Sequence, residues 1–126
     1  MKRLVWMVIL CGCQTSLLGE WRGTCTFSDA DQESWVKVSN YVERDNGYLL
    51  EGSLEITTWE DDIFSGDMIG DHNGKYVMFR SSFDTESGPY QFRMEMERVG
   101  QTLDGDCIVQ APDSVGSLMG SIGLER

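Results

Sequence analysis

The groups in this chain that could do chemistry are four cysteines, one histidine and 21 acidic residues. His72 stands alone beside Asn73-Gly74, so there is neither a histidine-rich metal set nor a Ser-His-Asp triad. Ser34-Trp35-Val36-Lys37 has Ser-x-x-Lys spacing. On a helix that spacing brings the two side chains together, but on a strand residues three apart face opposite sides. No Gly-x-Ser-x-Gly, Cys-x-x-Cys or phosphate-binding loop occurs. A glycosidase needs two paired carboxylates, and no two here are singled out by their spacing. The residues point away from an enzyme, a histidine- or cysteine-based metal site or a cofactor, and towards binding.

The elements that must position these groups follow from length and pattern. At 126 residues the chain suits one domain. Ten basic against 21 acidic residues give a net charge of −11, which argues against nucleic acid because phosphate binding needs a basic patch. A hydrophobic content of 40% argues for a folded core. Along the body, runs of about ten residues alternate with turn signals, the spacing of short antiparallel strands. The turns fall at Asp29 to Asp31, Asp45-Asn46-Gly47, Glu60-Asp61-Asp62, Asn73-Gly74, Asp84 to Gly88, Gly100-Gln101 and Pro112-Asp113. They separate eight strand candidates, and even spacing with short connections predicts an all-β, eight-stranded up-and-down antiparallel barrel.

Alternation assigns the inner face. It carries Leu50, Gly52, Leu54 and Ile56 on the third strand, then Phe64, Gly66, Met68 and Gly70 on the fourth. Val77 and Phe79, then Phe92, Met94 and Met96, continue it. Leu103, Gly105, Cys107 and Val109, then Leu118, Gly120, Ile122 and Leu124, complete it. The hairpins test this face, because a one-residue slip inverts every side chain. A two-residue turn at Asn73-Gly74 would pair His72 with Lys75 and Met68 with Phe79. A turn at Gly100-Gln101 would pair Val99 with Thr102 and Met94 with Cys107. A three-residue loop at Asp45-Asn46-Gly47 would set Val42 opposite Leu50, with Gly47 left-handed. Inward glycines at 23, 52, 66, 105 and 120 imply a narrow, strongly curved barrel. Phe64, Met68, Phe79, Phe92 and Met94 are the candidate lining for a small apolar ligand. Cys25 and Cys107 both point inward, but one strand lies between theirs. They either bridge across a flattened barrel or remain two buried thiols.

The start of the chain suggests an address. Lys2 and Arg3 precede an apolar run, Leu4 to Leu10, too short to span a bilayer; this is the pattern of a short secretory signal. Leu10-Cys11-Gly12-Cys13 resembles the bacterial lipobox. The resemblance implies a lipoprotein signal peptide over 1–12, lipid attachment at Cys13, a lipid-proximal tether over 13–18 and a single barrel domain over 19–126. Cleavage there removes Lys2 and Arg3 and no acid, which moves the net charge to −13 and leaves Cys25 and Cys107 as an even pair. In such lipoproteins a residue other than aspartate after the cysteine, here Gln14, favours the outer membrane of a Gram-negative cell.

Gly19-Glu20-Trp21 heads the first strand, and Arg126 shares a face with Leu124 on the last. With the eight-strand count, this resembles the lipocalin-like (calycin) barrels. The resemblance implies that Trp21 plugs the closed end and that Arg126 packs over it, a cation–π contact worth up to about 2 kcal/mol when desolvated. The loops at the other end carry Asp29, Asp31, Glu33, Glu60, Asp61, Asp62, Asp84, Glu86 and Asp113, with no Lys or Arg. This acidic rim is a candidate site for a cation or a basic partner. Trp35 and Trp59 are expected to face outward near it, as a contact surface. These features predict a lipid-anchored, non-enzymatic binding module of the cell envelope, for a small apolar ligand or an envelope partner. The alternatives are an envelope-structural lipoprotein with a filled core and a periplasmic protease inhibitor.

Overall fold

The computed structural model describes residues 16–28, 33–112 and 117–126. The signal peptide expected over 1–12 and the expected lipid-attachment residue Cys13 lie outside these residues. Eight strands follow one another along the chain: β1 (Gly19–Ser28), β2 (Glu33–Asp45), β3 (Leu49–Thr58), β4 (Ile63–His72), β5 (Tyr76–Thr85), β6 (Gly88–Val99), β7 (Thr102–Gln110) and β8 (Leu118–Glu125). Each pairs antiparallel with the next, and β8 pairs back onto β1 through Gly23↔Leu124 and Cys25↔Ile122, so the sheet closes. The fold is the closed up-and-down barrel expected from the strand spacing.

The inward face agrees with the alternation, yet two hairpin registers do not agree with the turn lengths read from sequence. Val99 pairs with Thr102, and Met94 with Cys107, as expected. Between β4 and β5 the pairs are His72↔Val77, Gly70↔Phe79 and Met68↔Ser81, two residues away from the Met68–Phe79 register. The Asn73 side chain causes the difference. Its Oδ1 accepts the backbone N–H groups of Lys75 and Tyr76 at 3.1 and 2.9 Å, which draws four residues into the turn. A shift of two leaves each residue on its own face.

Between β2 and β3 the pairs are Val38↔Ile56 and Val42↔Gly52, again two residues away from the expected Val42–Leu50 pairing. A β-bulge between Val42 and Arg44 then changes the parity, so that Asp45 faces Leu50. An uninterrupted strand with Val42 inward would have sent Asp45 outward; the bulge turns it in. Opposite Val42 the strands run very close, and a Cβ on Gly52 would lie 1.8 Å from the carbonyl oxygen of Tyr41. Gly47 in the same hairpin has φ +98°, as its loop position requires.

The interior is filled in its closed half. Trp21, Leu50, Leu54, Met68, Phe79, Met94, Leu103 and Leu124 are all buried there. Each such side chain contributes about 1.5–3 kcal/mol by leaving water. Asn40 shares this face and is fully buried, with neither atom of its amide hydrogen-bonded among the described residues.

Cys25 and Cys107 are joined by a disulfide with Cα atoms 6.2 Å apart, although β8 runs between their strands. Two flat strand spacings would hold them about 9.6 Å apart. Curvature closes the gap, and β8 presents Gly120 opposite Cys107. A Cβ on Gly120 would lie 2.4 Å from the carbonyl oxygen of Thr26, so only glycine allows this approach. The bridge closes a long loop, with a sequence separation of 82. Replacing both cysteines by serine is expected to cost about 2–5 kcal/mol. Urea unfolding followed by tryptophan fluorescence measures this, and an unchanged midpoint would contradict it.

Candidate functional site

The two ends of the barrel are built differently. At the closed end the chain ahead of β1 folds under the barrel, and Leu17 is fully buried as a plug. Three groups hold it. Trp21 Nε1–H donates to the Leu17 carbonyl at 2.9 Å. Arg126 donates to the carbonyls of Ser16 and Leu18 at 2.9 and 3.0 Å, while its guanidinium sits 4.7 Å from the centre of the Trp21 ring. Asp45 accepts the Leu17 N–H at 2.9 Å.

Asp45 is the hub of this end. Its other oxygen accepts the Gly47 N–H at 2.8 Å and the His72 Nε2–H at 2.8 Å, and both the Asp45 and His72 side chains are only 4% exposed. Burial on its own would raise the Asp45 carboxyl. The hydrogen bonds from Leu17, His72 and Gly47 outweigh that and hold it below the usual carboxylate range. His72 Nδ1 is buried with no partner among the described residues. His72 therefore belongs to the interior, and not to an exposed hairpin tip. The alternation Phe64, Gly66, Met68, Gly70 already ran on to His72. Asp45 carried no such signal, because a bulge cannot be read from alternation.

At the open end a cavity of about 660 Å³ runs in from the mouth. That is within the usual range of small-molecule sites. Its wall is apolar: Phe27, Val36, Ile56, Phe64, Phe83, Phe92, Val109 and Leu118. Short side chains at the rim, Ser34, Thr58, Thr85 and Ser87, leave the room open. The Thr58 hydroxyl accepts the N–H groups of Glu60 and Asp62, and Thr85 Oγ1 donates to the Gly88 carbonyl, so two of these residues also shape the mouth turns.

Of the lining expected from sequence, Phe64 and Phe92 face this cavity. Met68, Phe79 and Met94 do not. They sit nearer the closed end, no more than 1% exposed, and fill the core, because the interior below the disulfide is too narrow to leave space beside them. Val36, Ile56 and Phe83 take their place in the wall. Trp59 is exposed at the acidic end as expected, but it also turns towards the opening. It is 53% exposed and lines the mouth, since it lies just past the end of β3 where strand alternation no longer sets its direction. Trp35 does face outward, paired across from Thr26, with Lys37 Nζ 5.8 Å from its ring centre.

The acidic rim divides. Asp62 and Glu86 line the cavity mouth, whereas Glu60, Asp61 and Asp84 are exposed around it. Asp61 occupies a left-handed backbone position at φ 65°. Asp29 and Asp31 lie outside the described residues. No cluster of three or more His, Cys, Asp or Glu suited to a metal ion occurs among the described residues.

No protein-family model matches this sequence, and no curated protein matches it. The solved structure of EF1p2_mFAP2b bound to DFHBI is similar, with a TM-score of 0.71 at 9% identity, over 87% of this chain and 93% of that one. At that identity the likeness concerns the fold. Together with the closed eight-strand topology, it places the barrel in the lipocalin-like and fatty-acid-binding-like class of architectures.

The closed end yields a signed pH dependence. A carboxyl whose folded pKa is depressed adds stability above its unfolded value, about 4, and loses it as pH falls through the folded value. Asp45→Asn is expected to lower stability at neutral pH by about 1–3 kcal/mol and to flatten the loss of thermal midpoint as pH falls below about 4. Thermal melts of both proteins across that range measure it. Parallel curves would mean that Asp45 does not carry the acid sensitivity.

Proposed function

We propose that this chain is a lipid-anchored binding barrel of the cell envelope that takes one small, largely apolar molecule into its open end. One observation carries the binding half of this reading: the 660 Å³ apolar cavity opening at the end away from the Leu17 plug. The similar solved structure is bound to DFHBI, which supports small-ligand binding by a barrel of this fold. The anchoring half rests on Leu10-Cys11-Gly12-Cys13. Ser16 is fastened under the closed end by Arg126, so a lipid on Cys13 would leave this end towards the membrane and the mouth away from it. The narrow closed half supports a single compact ligand over a long chain threaded through the barrel.

Saturable binding of the neutral apolar dye Nile red tests the cavity. Ile56 and Val109 are half-buried wall residues, so tryptophan at both would project into the space. The pair Ile56→Trp with Val109→Trp is expected to weaken dye binding by about tenfold or more, equivalent to about 1.4 kcal/mol, with the thermal midpoint little changed. Dye binding that survives this filling would place the dye elsewhere, and the cavity reading would fail.

Cell fractionation tests the anchor. Cys13→Ser is expected to move the protein out of the membrane fraction or leave it unprocessed, because two or three acyl chains on that residue would supply the anchor and hold far more firmly than one. Wild-type protein recovered free of acyl mass in the soluble fraction would refute anchoring.

A further inference from the structure

We propose that the ligand is a cationic amphiphile, an apolar body carrying an ammonium or similar positive head that rests at the mouth. This inference builds on the binding reading above and adds the charge of the ligand. Two kinds of group that attract a cation line the same opening. Asp62 and Glu86 bring carboxylates, and Trp59 and Tyr90 bring aromatic rings. Carboxylates attract the charge directly, and aromatic faces attract it through their quadrupole.

The carboxylates are not already spent. Among the described residues neither Asp62 nor Glu86 takes part in an ion pair. Trp59 is likewise more than half exposed at the mouth. The described cations stand elsewhere. Arg80 and Arg93 stand opposite each other on β5 and β6 and are exposed, and no Lys or Arg among the described residues lines the cavity. Arg126 is committed to the plug at the opposite end. An anionic amphiphile such as a fatty acid would therefore bring its carboxylate to two others with no counter-charge. A cationic head would meet complementary charge while its apolar part filled the space between Val36, Ile56, Phe64 and Phe92.

Competition against bound Nile red decides the matter, using the full chain with Cys11→Ser and Cys13→Ser so that only Cys25 and Cys107 can pair. Decylammonium, decanol and decanoate share one alkyl chain and differ in head charge. Decylammonium is expected to displace the dye about tenfold more tightly than decanol, and decanoate to be the weakest, as a partly solvated pair of charges with aromatic support would give. Raising salt from about 0.1 M to about 1 M shortens the Debye length from about 10 Å to about 3 Å and is expected to erase most of that preference. In Asp62→Asn with Glu86→Gln, decylammonium is expected to fall to within about threefold of decanol, with decanol itself unchanged. Both sites are exposed, so folding is expected to be retained, and the salt arm needs no substitution. Decanoate binding as tightly as decylammonium, or a preference indifferent to salt and to the double substitution, would overturn the charge inference while leaving the cavity in place. Failure of Nile red itself to bind would overturn the binding reading and this inference together.

Discussion

Closure of the sheet is the constraint on which the rest depends. With β8 paired onto β1, no strand edge is left open, and the interior is sealed from the sides. Eight strands give an interior just wide enough for side chains or for one small ligand. The ends then decide which of these occurs. Water must be kept from the apolar interior where it is packed and admitted where it is not.

At one end the solution is a plug, and the plug depends on a carboxylate turned inward. The bulge after Val42 brings Asp45 under the barrel, and Asp45 receives the Leu17 N–H, the Gly47 N–H and His72. A buried carboxylate is costly unless its oxygens are satisfied, and here three donors satisfy them. Trp21 and Arg126 then close over the same segment from the first and last strands. One small region thus joins the chain ahead of β1, the β2–β3 hairpin, the end of β4 and the last residue. The disulfide ties β1 to β7 across β8.

The other end lacks a plug of this kind among the described residues. Its wall is aromatic and aliphatic, its rim is short and hydroxyl-bearing, and the charged groups among its described lining residues, Asp62 and Glu86, are acidic. Polar groups at such a mouth orient a ligand whose affinity comes from the wall. The asymmetry of the molecule is this contrast between a plugged pole held by the Asp45 hydrogen bonds and an open apolar one.

The strand count, the inward face, the candidate cysteines and the acidic character of the mouth were all legible in the sequence. Each is a local property: period-two alternation, turn residues at short spacing, or composition of a loop. The Trp21–Arg126 contact was legible too, through a resemblance at the two ends of the chain. What sequence could not deliver was anything set by turn length, by a parity change or by curvature. The Asn73 side chain lengthened one turn and shifted its register by two residues, which preserves the faces and so leaves no trace in the hydrophobic pattern. The bulge reversed the direction of Asp45, and alternation has no way to register an extra residue. The bridge between Cys25 and Cys107 needed a strand spacing compressed by curvature over Gly120, a property of the closed sheet and of no single segment. The depth at which packing gives way to cavity was likewise a tertiary matter. It placed Met68, Phe79 and Met94 in the core and handed the wall to Val36, Ile56 and Phe83, because how far a side chain on the inner face lies from each end depends on where the plug and the disulfide fall.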